Sequence, residues 1–120
     1  MYISFNDNYF WFFCTDLKPQ NIGFTADNHL KLLDFGLATC VKKSSSSSES
    51  YKLTGYTGTR AYMAPEVALR LQYNEKVDIY SFGILFWQII TGEVPFYNMS
   101  KDEHMKKVCI CHVNLHLPLI

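Results

Sequence analysis

Three short blocks in a fixed order carry most of the side chains that could do chemistry in this sequence. They are Asp16-Leu17-Lys18-Pro19-Gln20-Asn21, then Asp34-Phe35-Gly36, then Ala64-Pro65-Glu66. A carboxylate beside an ammonium group can accept a proton, and a second carboxylate with an amide oxygen offers the hard ligands that Mg²⁺ prefers. Each block alone is a weak signal, because such residues meet by chance in many loops. Together they supply the parts that phosphoryl transfer requires.

The composition excludes several classes of protein. A chain of 120 residues can form one domain with a buried core. Its 11 basic and 11 acidic residues cancel, so no strong field predicts nucleic acid or an anionic membrane as a partner. The longest apolar run, residues 79–90, includes Ser81 and Gln88 and is shorter than the roughly 20 residues of a bilayer span. We expect no membrane span.

The cysteines and histidines favour no disulfide framework and no zinc site. The chain has four cysteines, at Cys14, Cys40, Cys109 and Cys111. Their spacing and the lack of a secretory signal predict reduced thiols in a cytoplasmic protein. A zinc cluster could be drawn from His104, Cys109, Cys111, His112 and His116. The spacing Cys-x-Cys-His-x₃-His lacks the paired cysteine knuckle of known zinc modules, so we do not predict zinc.

A β-hairpin is predicted to bring two of the blocks together. Residues 21–25 and 30–34 alternate in the manner of strands, and residues 26–29 between them are turn formers. The hairpin would deliver Asn21 at its start and Asp34 at its end. Two residues that are distant in sequence could therefore meet in space.

Three helices are predicted in the second half of the chain. Pro65 suits the first turn of a short helix that runs to Leu71. Asn74 would cap a helix from residue 75 to 91, with Gly92 as its stop. Residues 79–90 are apolar on nearly every face of this helix, which is typical of a helix in the middle of a protein.

A capping-box pair and a polar tract complete the prediction. Ser100 and Glu103 form the pair and would open the last helix, residues 101–110. Residues 42–50 are mostly serine and lysine and cannot bury enough surface to order themselves, so they predict a solvated loop.

The three blocks resemble the catalytic motifs of eukaryotic-type protein kinases of the Ser/Thr type. The resemblance covers residues 14–99 and only part of the C-terminal lobe; residues 1–13 and 108–120 do not match the family, and residues 100–107 would begin a further helix of the lobe. It implies an α+β fold, a mainly helical C-lobe fragment with a catalytic-loop β-hairpin. Helix 75–91 would be the central post of this lobe.

The resemblance implies a role for each candidate residue. Asp16 would be the catalytic base that accepts or orients the proton of the substrate hydroxyl, and Lys18 would neutralise charge on the transferring phosphate. Asn21 and Asp34 would bind the Mg²⁺ that accompanies ATP. Thr59 would bond both Asp16 and Lys18 and position the substrate.

Four residues would support this site. Phe35 would pack inward, and Gly36 would let the backbone swing. Asp78 would accept N–H bonds from the catalytic loop, and Glu66 would be either exposed or buried without the arginine that usually pairs with it. Residues 37–63 would be the activation segment, with possible phosphorylation at Thr54, Tyr56 and Thr57.

Two features imply Ser or Thr hydroxyls on proteins as the phosphate acceptors. Tyr kinases usually carry Arg and Ala in the catalytic loop, where this chain has Leu17-Lys18-Pro19. Gly58-Thr59 stands where Tyr kinases usually carry a Pro and Trp signature.

The sequence also departs from the family. Cys14-Thr15-Asp16 replaces His-Arg-Asp, and the family's Arg normally pairs with a phosphorylated activation segment. The sequence has no Gly-rich loop and no match to the N-terminal lobe, so helix 75–91 would leave apolar surface exposed. We therefore expect a truncated or mis-spliced gene model without kinase activity of its own. The alternative is a non-catalytic, pseudokinase-like interaction fragment or an unstable truncated product.

Overall fold

The computed structural model describes residues 2–5, 8–42, 55 and 57–111. Candidate phosphorylation sites Thr54 and Tyr56, most of the polar tract 42–50, and the histidines His112 and His116 lie outside the described residues. The predictions made for them stay predictions.

Two small antiparallel sheets lie in the first third of the chain. Strands β1 (Tyr2–Phe5), β2 (Asn8–Phe13) and β5 (Thr39–Lys42) form the first sheet in the order β1-β2-β5. Strands β3 (Ile22–Phe24) and β4 (Leu30–Leu32) form the second. The second sheet is the predicted hairpin, which is confirmed. The first sheet was not predicted, although aromatic residues such as those of β2 favour strands.

Helix α1 (Pro65–Ala68) is shorter than predicted. The predicted end at Leu71 is wrong because Arg70 has a φ of 59° and turns the chain out of the helix. The N–H of Leu71 then bonds the carbonyl oxygen of Glu66 at 2.9 Å, which closes the turn.

Helix α2 (Lys76–Thr91) has the predicted ends to within one residue. The side chain of Asn74 accepts the N–H of Lys76 at 3.1 Å. Gly92 has a φ of 70°, and its N–H bonds the carbonyl oxygen of Gln88. The stop at Gly92 is confirmed. The N-cap position is Glu75, one residue after the predicted Asn74, although the side chain of Asn74 still bonds the first turn.

The last helix begins as predicted and then widens. Helix α3 (Lys101–His104) opens with the capping box of Ser100 and Glu103, which is confirmed. It continues as a π-helical segment, Met105–Ile110. The wider turn places residues five apart on the same face, so His104 and Cys109 both point into the core.

The core lies between α1, the start of α2 and the π-helical segment. Its buried members are Met63, Ala64, Val67, Ala68, Tyr73, Val77 and Cys109. Tyr80 and Met105 pack against this cluster.

Helix α2 is buried on one side only, although its apolar pattern is typical of a helix in the middle of a protein. Only Val77, Ser81 and Leu85 of this helix are buried, whereas Phe82 and Ile89 are 55% and 67% exposed. The expected exposure of apolar surface is therefore confirmed. Within the described ranges, none of the helices combines the length and apolar character that a bilayer span requires.

An apolar groove of about 630 Å³ runs between this face of α2 and the β3–β4 hairpin. Its walls include Ile22, Leu32, Phe82 and Ile89. None of the candidate catalytic or metal-binding residues lines it, so the groove is distinct from the candidate active site.

His104 makes this fold sensitive to acid. Its ring is only 2% exposed, and its Nε2 has no hydrogen-bond partner among the described residues. Burial, with the nearby charge of Arg60, lowers the pKa of His104 below its ordinary value. A lowered pKa in the folded state means that the unfolded chain binds the proton more tightly. The contribution of the neutral His104 ring to stability is therefore fully present above about pH 6.5 and decreases as the pH falls below that value.

We expect the free energy of unfolding to fall between pH 7 and pH 5, and to fall less in His104→Leu. Urea unfolding at several pH values measures this. His29→Leu is the matched control, because His29 is exposed and pairs with Asp27 at 3.1 Å. Equal pH dependence in the wild-type chain and in His104→Leu would contradict the assignment.

Candidate active site

A closed group of three side chains forms the centre of the candidate site. The Oδ2 of Asp16 lies 2.6 Å from the Nζ of Lys18, and its Oδ1 accepts the backbone N–H of Thr59 at 2.6 Å. The Nζ of Lys18 also donates to the Oγ1 of Thr59 at 2.8 Å. Thr59 is 43 residues from Asp16 in sequence, so the fold brings two distant segments together here.

This environment keeps Asp16 ionised although it is 8% exposed. Burial alone would raise its pKa, but the hydrogen bonds from Lys18 and Thr59 outweigh burial and lower the pKa of Asp16. A carboxylate with a lowered pKa is a weak base. It is suited to accept a hydrogen bond from a hydroxyl group and to orient it, more than to remove its proton in advance.

Asn21 ends the 3₁₀ turn Pro19–Asn21 and faces Asp16 with its amide nitrogen. The Nδ2 donates to the backbone oxygen of Asp16 at 2.9 Å and to its Oδ2 at 3.3 Å. Since the nitrogen is directed at Asp16, the Oδ1 of this buried side chain is the atom that could accept a bond or bind a cation.

The hairpin brings Asp34 beside Asn21, as the sequence predicts. The N–H of Leu33 bonds the backbone oxygen of Asn21 at 2.8 Å, and Asp34 follows directly. The Oδ1 of Asp34 accepts the N–H of Gly36 at 3.0 Å, and Oδ2 is the second carboxylate oxygen of this exposed residue. A Cβ at Gly36 would lie 3.0 Å from this Oδ1, so a larger residue there would press on the carboxylate.

Phe35 does not pack inward, so that prediction is wrong. Its side chain is 52% exposed and lies along a cavity of about 190 Å³ beside Leu32 and Ala38. The cavity shows that the residues around Phe35 do not close over the ring.

Asp78 connects helix α2 to the loop that carries Asp16. Its Oδ2 accepts the N–H of Cys14 at 2.8 Å, and its Oδ1 accepts the N–H of Thr15 at 3.0 Å. These two bonds hold Thr15 at a φ of 51°, a region that a β-branched residue seldom adopts. The loop is therefore held in a specific conformation from the first turn of the helix.

Glu66 lies in α1, and Thr57 lies directly before Gly58. Glu66 is half-buried and forms no ion pair with any described side chain. Burial raises the pKa of Tyr80 to about 12, and repulsion from negative charge at Cys109 and Glu66 adds to this effect. Burial also raises the pKa of Tyr73, and a hydrogen bond with Thr57 acts in the opposite direction.

Sequence reasoning missed the contacts of Thr15 and the need for Gly58. The hydroxyl of Thr15 donates to the backbone oxygen of Leu37 at 2.7 Å. Gly58 has a φ of 103°, and a Cβ there would lie 2.4 Å from the backbone oxygen of Thr15. The glycine before Thr59 was the one available signal for this close approach.

These motifs and this geometry match those of the protein kinase family, and comparison with known proteins agrees. The family model described as "Protein kinase domain" matches residues 10–117. The chain belongs to the protein kinase domain family.

Several Ser/Thr kinases are similar to this chain. Serine/threonine-protein kinase VIK of Arabidopsis thaliana is 41% identical over 99 residues, which cover 81% of this chain and 22% of that protein. Mitogen-activated protein kinase kinase kinase dlk-1 of Caenorhabditis briggsae is 37% identical over 103 residues, which cover 86% of this chain and 11% of that protein. Human ribosomal protein S6 kinase alpha-3 is 40% identical over 93 residues, which cover 78% of this chain and 12% of that protein. The chain thus spans less than a quarter of the length of these relatives.

Proposed function

We propose that this chain carries the catalytic loop, activation segment and central helix of a Ser/Thr protein kinase, within the C-terminal lobe. The reaction is transfer of the terminal phosphate of ATP to Ser or Thr hydroxyls of proteins. The observation that supports this most strongly is the closed group of Asp16, Lys18 and Thr59, because it combines a base, a cation and an acceptor-side threonine in one place.

The oxygen atoms around Asn21 and Asp34 fit Mg²⁺. The Oδ1 of Asn21 and the Oδ2 of Asp34 are hard oxygen atoms that would serve as ligands. The hairpin bonds Asn21 to Leu33, the residue directly before Asp34. Magnesium usually takes one or two ligands from a protein and the rest from phosphates and water. When bound, the ion would neutralise charge on the phosphates of ATP.

The residues of this chain divide the remaining work. The ionised Asp16 accepts a hydrogen bond from the substrate hydroxyl and aims its oxygen at the phosphate. Lys18 supplies positive charge where negative charge grows on the phosphate during transfer. Thr59 holds the activation segment against both residues, so that an acceptor bound to this segment lies beside Asp16.

The contact between Lys18 and Thr59 supports the acceptor preference. Their bond of 2.8 Å draws the end of the activation segment close to the base. A short Ser or Thr side chain needs such close approach, whereas a tyrosine hydroxyl stands farther from its backbone. This supports protein Ser or Thr as the substrate class.

We expect the isolated chain to lack kinase activity, and a chimera to have it. The sequence contains no Gly-rich loop or strand lysine to hold the nucleotide, and positioning of reactants is worth about 7–11 kcal/mol of the barrier. In the chimera, residues 14–107 of this chain replace the matching segment in the kinase domain of the Arabidopsis relative. Phosphate transfer to a Ser/Thr peptide measures its activity.

In this chimera Asp16→Asn is expected to lower kcat by about 100-fold, because general-base positioning contributes at that scale. Asp27→Asn is the control and should leave kcat unchanged, since Asp27 is 70% exposed in the hairpin turn. Full activity in Asp16→Asn, or transfer to tyrosine alone, would overturn the proposal. So would strong activity of the isolated chain that Asp16→Ala abolishes, because it would show that the nucleotide can be held without the other lobe.

A further inference from the structure

Thr15 is a buried residue with an unusual set of contacts. It is 7% exposed, and it precedes Asp16 in the loop. Its φ of 51° is uncommon for a β-branched side chain, and such strain persists only where the surrounding structure imposes it. The two backbone bonds to Asp78 supply that constraint for the main chain. They leave the side-chain hydroxyl available for another partner.

The hydroxyl of Thr15 reaches the beginning of the activation segment. It donates to the backbone oxygen of Leu37 at 2.7 Å, a short bond across 22 residues of sequence. Leu37 stands three residues after Asp34, so this bond fixes the chain directly after the metal-ligand candidate. The N–H of Ala38 bonds the backbone oxygen of Phe35 at 2.9 Å and continues the same ordered turn.

The backbone of Thr15 also meets the other end of the segment. Gly58 approaches the carbonyl oxygen of Thr15 so closely that a Cβ would lie 2.4 Å from it. Thr59 follows and bonds Asp16. Residues 37 and 58 therefore both contact Thr15, although 20 residues of sequence separate them.

We propose that Thr15 is a positioning residue that fastens the beginning of segment 37–63 to the catalytic loop through its hydroxyl, without a phosphate group. This inference rests on the proposed function, which assigns segment 37–63 to substrate positioning. The bond is neutral and already present in the unmodified chain. The segment can thus be held in place at the position where the resembled family uses an arginine and a phosphorylated residue.

The contact of Thr57 agrees with this. Its side chain bonds Tyr73, a residue that is 3% exposed in the core. Phosphorylation of Thr57 would break this bond. Thr15, the residue before Asp16, would offer the phosphate a hydroxyl group and not a guanidinium. The ordering gained from a phosphate depends on such a charged partner.

The test compares Thr15→Val with Thr15→Ser in the full chain. Valine keeps the shape and β-branching of threonine and removes the hydroxyl, whereas serine keeps the hydroxyl and removes the methyl group. The readout is amide hydrogen exchange at Ala38, whose bond lies directly after the anchored residue. Thr15→Val is expected to speed this exchange about fivefold, the effect of losing one hydrogen bond. Thr15→Ser should exchange like the wild-type chain.

The amide of Asn28 is the internal control. It bonds Thr25 within the hairpin turn, away from Thr15, and its exchange should not change in either variant. Unchanged exchange at Ala38 in Thr15→Val overturns the proposal. Equal acceleration in Thr15→Ser also overturns it, because the methyl group would then be the important part.

A measurement on the wild-type chain covers the case in which Thr15→Val does not fold. A hydroxyl held in a part-buried hydrogen bond exchanges more slowly than one in solvent, so its proton should be visible by NMR with a cross-peak to Leu37. Absence of this cross-peak overturns the proposal. Neither readout requires ATP. If Leu37 is anchored and the chimera is inactive, the proposed function is refuted and the anchor stands. If the chimera is active and Leu37 is not anchored, the anchor is refuted and the proposed function stands.

Discussion

Asp34→Asn in the active chimera is expected to lower kcat by about 1000-fold, which corresponds to about 4 kcal/mol of transition-state stabilisation. The Oδ2 of Asp34 is the carboxylate oxygen left for Mg²⁺ once Oδ1 has accepted the N–H of Gly36. An amide in its place offers a neutral ligand and loses the charge that attracts the cation. The concentration of Mg²⁺ needed for half-maximal rate should rise in parallel.

Two companion variants separate metal binding from other effects. Asp16→Asn should lower kcat and leave the Mg²⁺ requirement unchanged, because Asp16 is engaged by Lys18 and Thr59. Thr57→Ala should change kcat less than about threefold, since Thr15 offers no guanidinium to a phosphate on that residue. If Thr57→Ala lowers kcat as much as Asp34→Asn, a phosphate controls the activation segment despite the absence of an arginine at Thr15.

Asp78→Asn is expected to lower the free energy of unfolding of the chain by about 3 kcal/mol, which is a large fraction of the stability of a small domain. The carboxylate accepts two backbone N–H groups, from Cys14 and Thr15. An asparagine can accept only one of them, and its own amide group then faces the other donor. The loop before Asp16 would lose part of what holds Thr15 at its positive φ.

Urea unfolding of the purified chain measures this loss. Asp27→Asn is again the matched control, because the same change at an exposed carboxylate should alter stability by less than about 0.5 kcal/mol. Equal unfolding midpoints for Asp78→Asn and Asp27→Asn would show that the two bonds contribute no net stability.

Local chemistry explains which elements were predictable from the sequence. The β3–β4 hairpin, the capping box of Ser100 and Glu103, and the stop at Gly92 each depend on residues within about ten positions of one another. The pairing of β2 with β5 joins residues 26 to 32 positions apart, and nothing in either segment specifies the other. The early end of α1 depends on Arg70, a residue type that gives no warning of a positive φ.

The candidate site was predictable in its residues and less so in its connections. The motif resemblance indicated Asp16, Lys18, Asn21, Asp34 and Thr59 before any geometry was known. It could not indicate that Phe35 stays half exposed, because packing depends on which neighbours cover the ring. The bond from Thr15 to Leu37 was equally hidden, since a hydroxyl group finds its acceptor only after the tertiary fold is formed.

The bonds that assemble the site have a consequence for the order in which the chain folds. They join residues 43, 63 and 64 positions apart, whereas the hairpin and the helices close over a few residues. Long loops lose more entropy on closure and form slowly, so the local elements are expected to precede the site. The segment around Asp16 would then be the last part to acquire its final conformation during synthesis. The hairpin and the helices can exist before the geometry of the active site does.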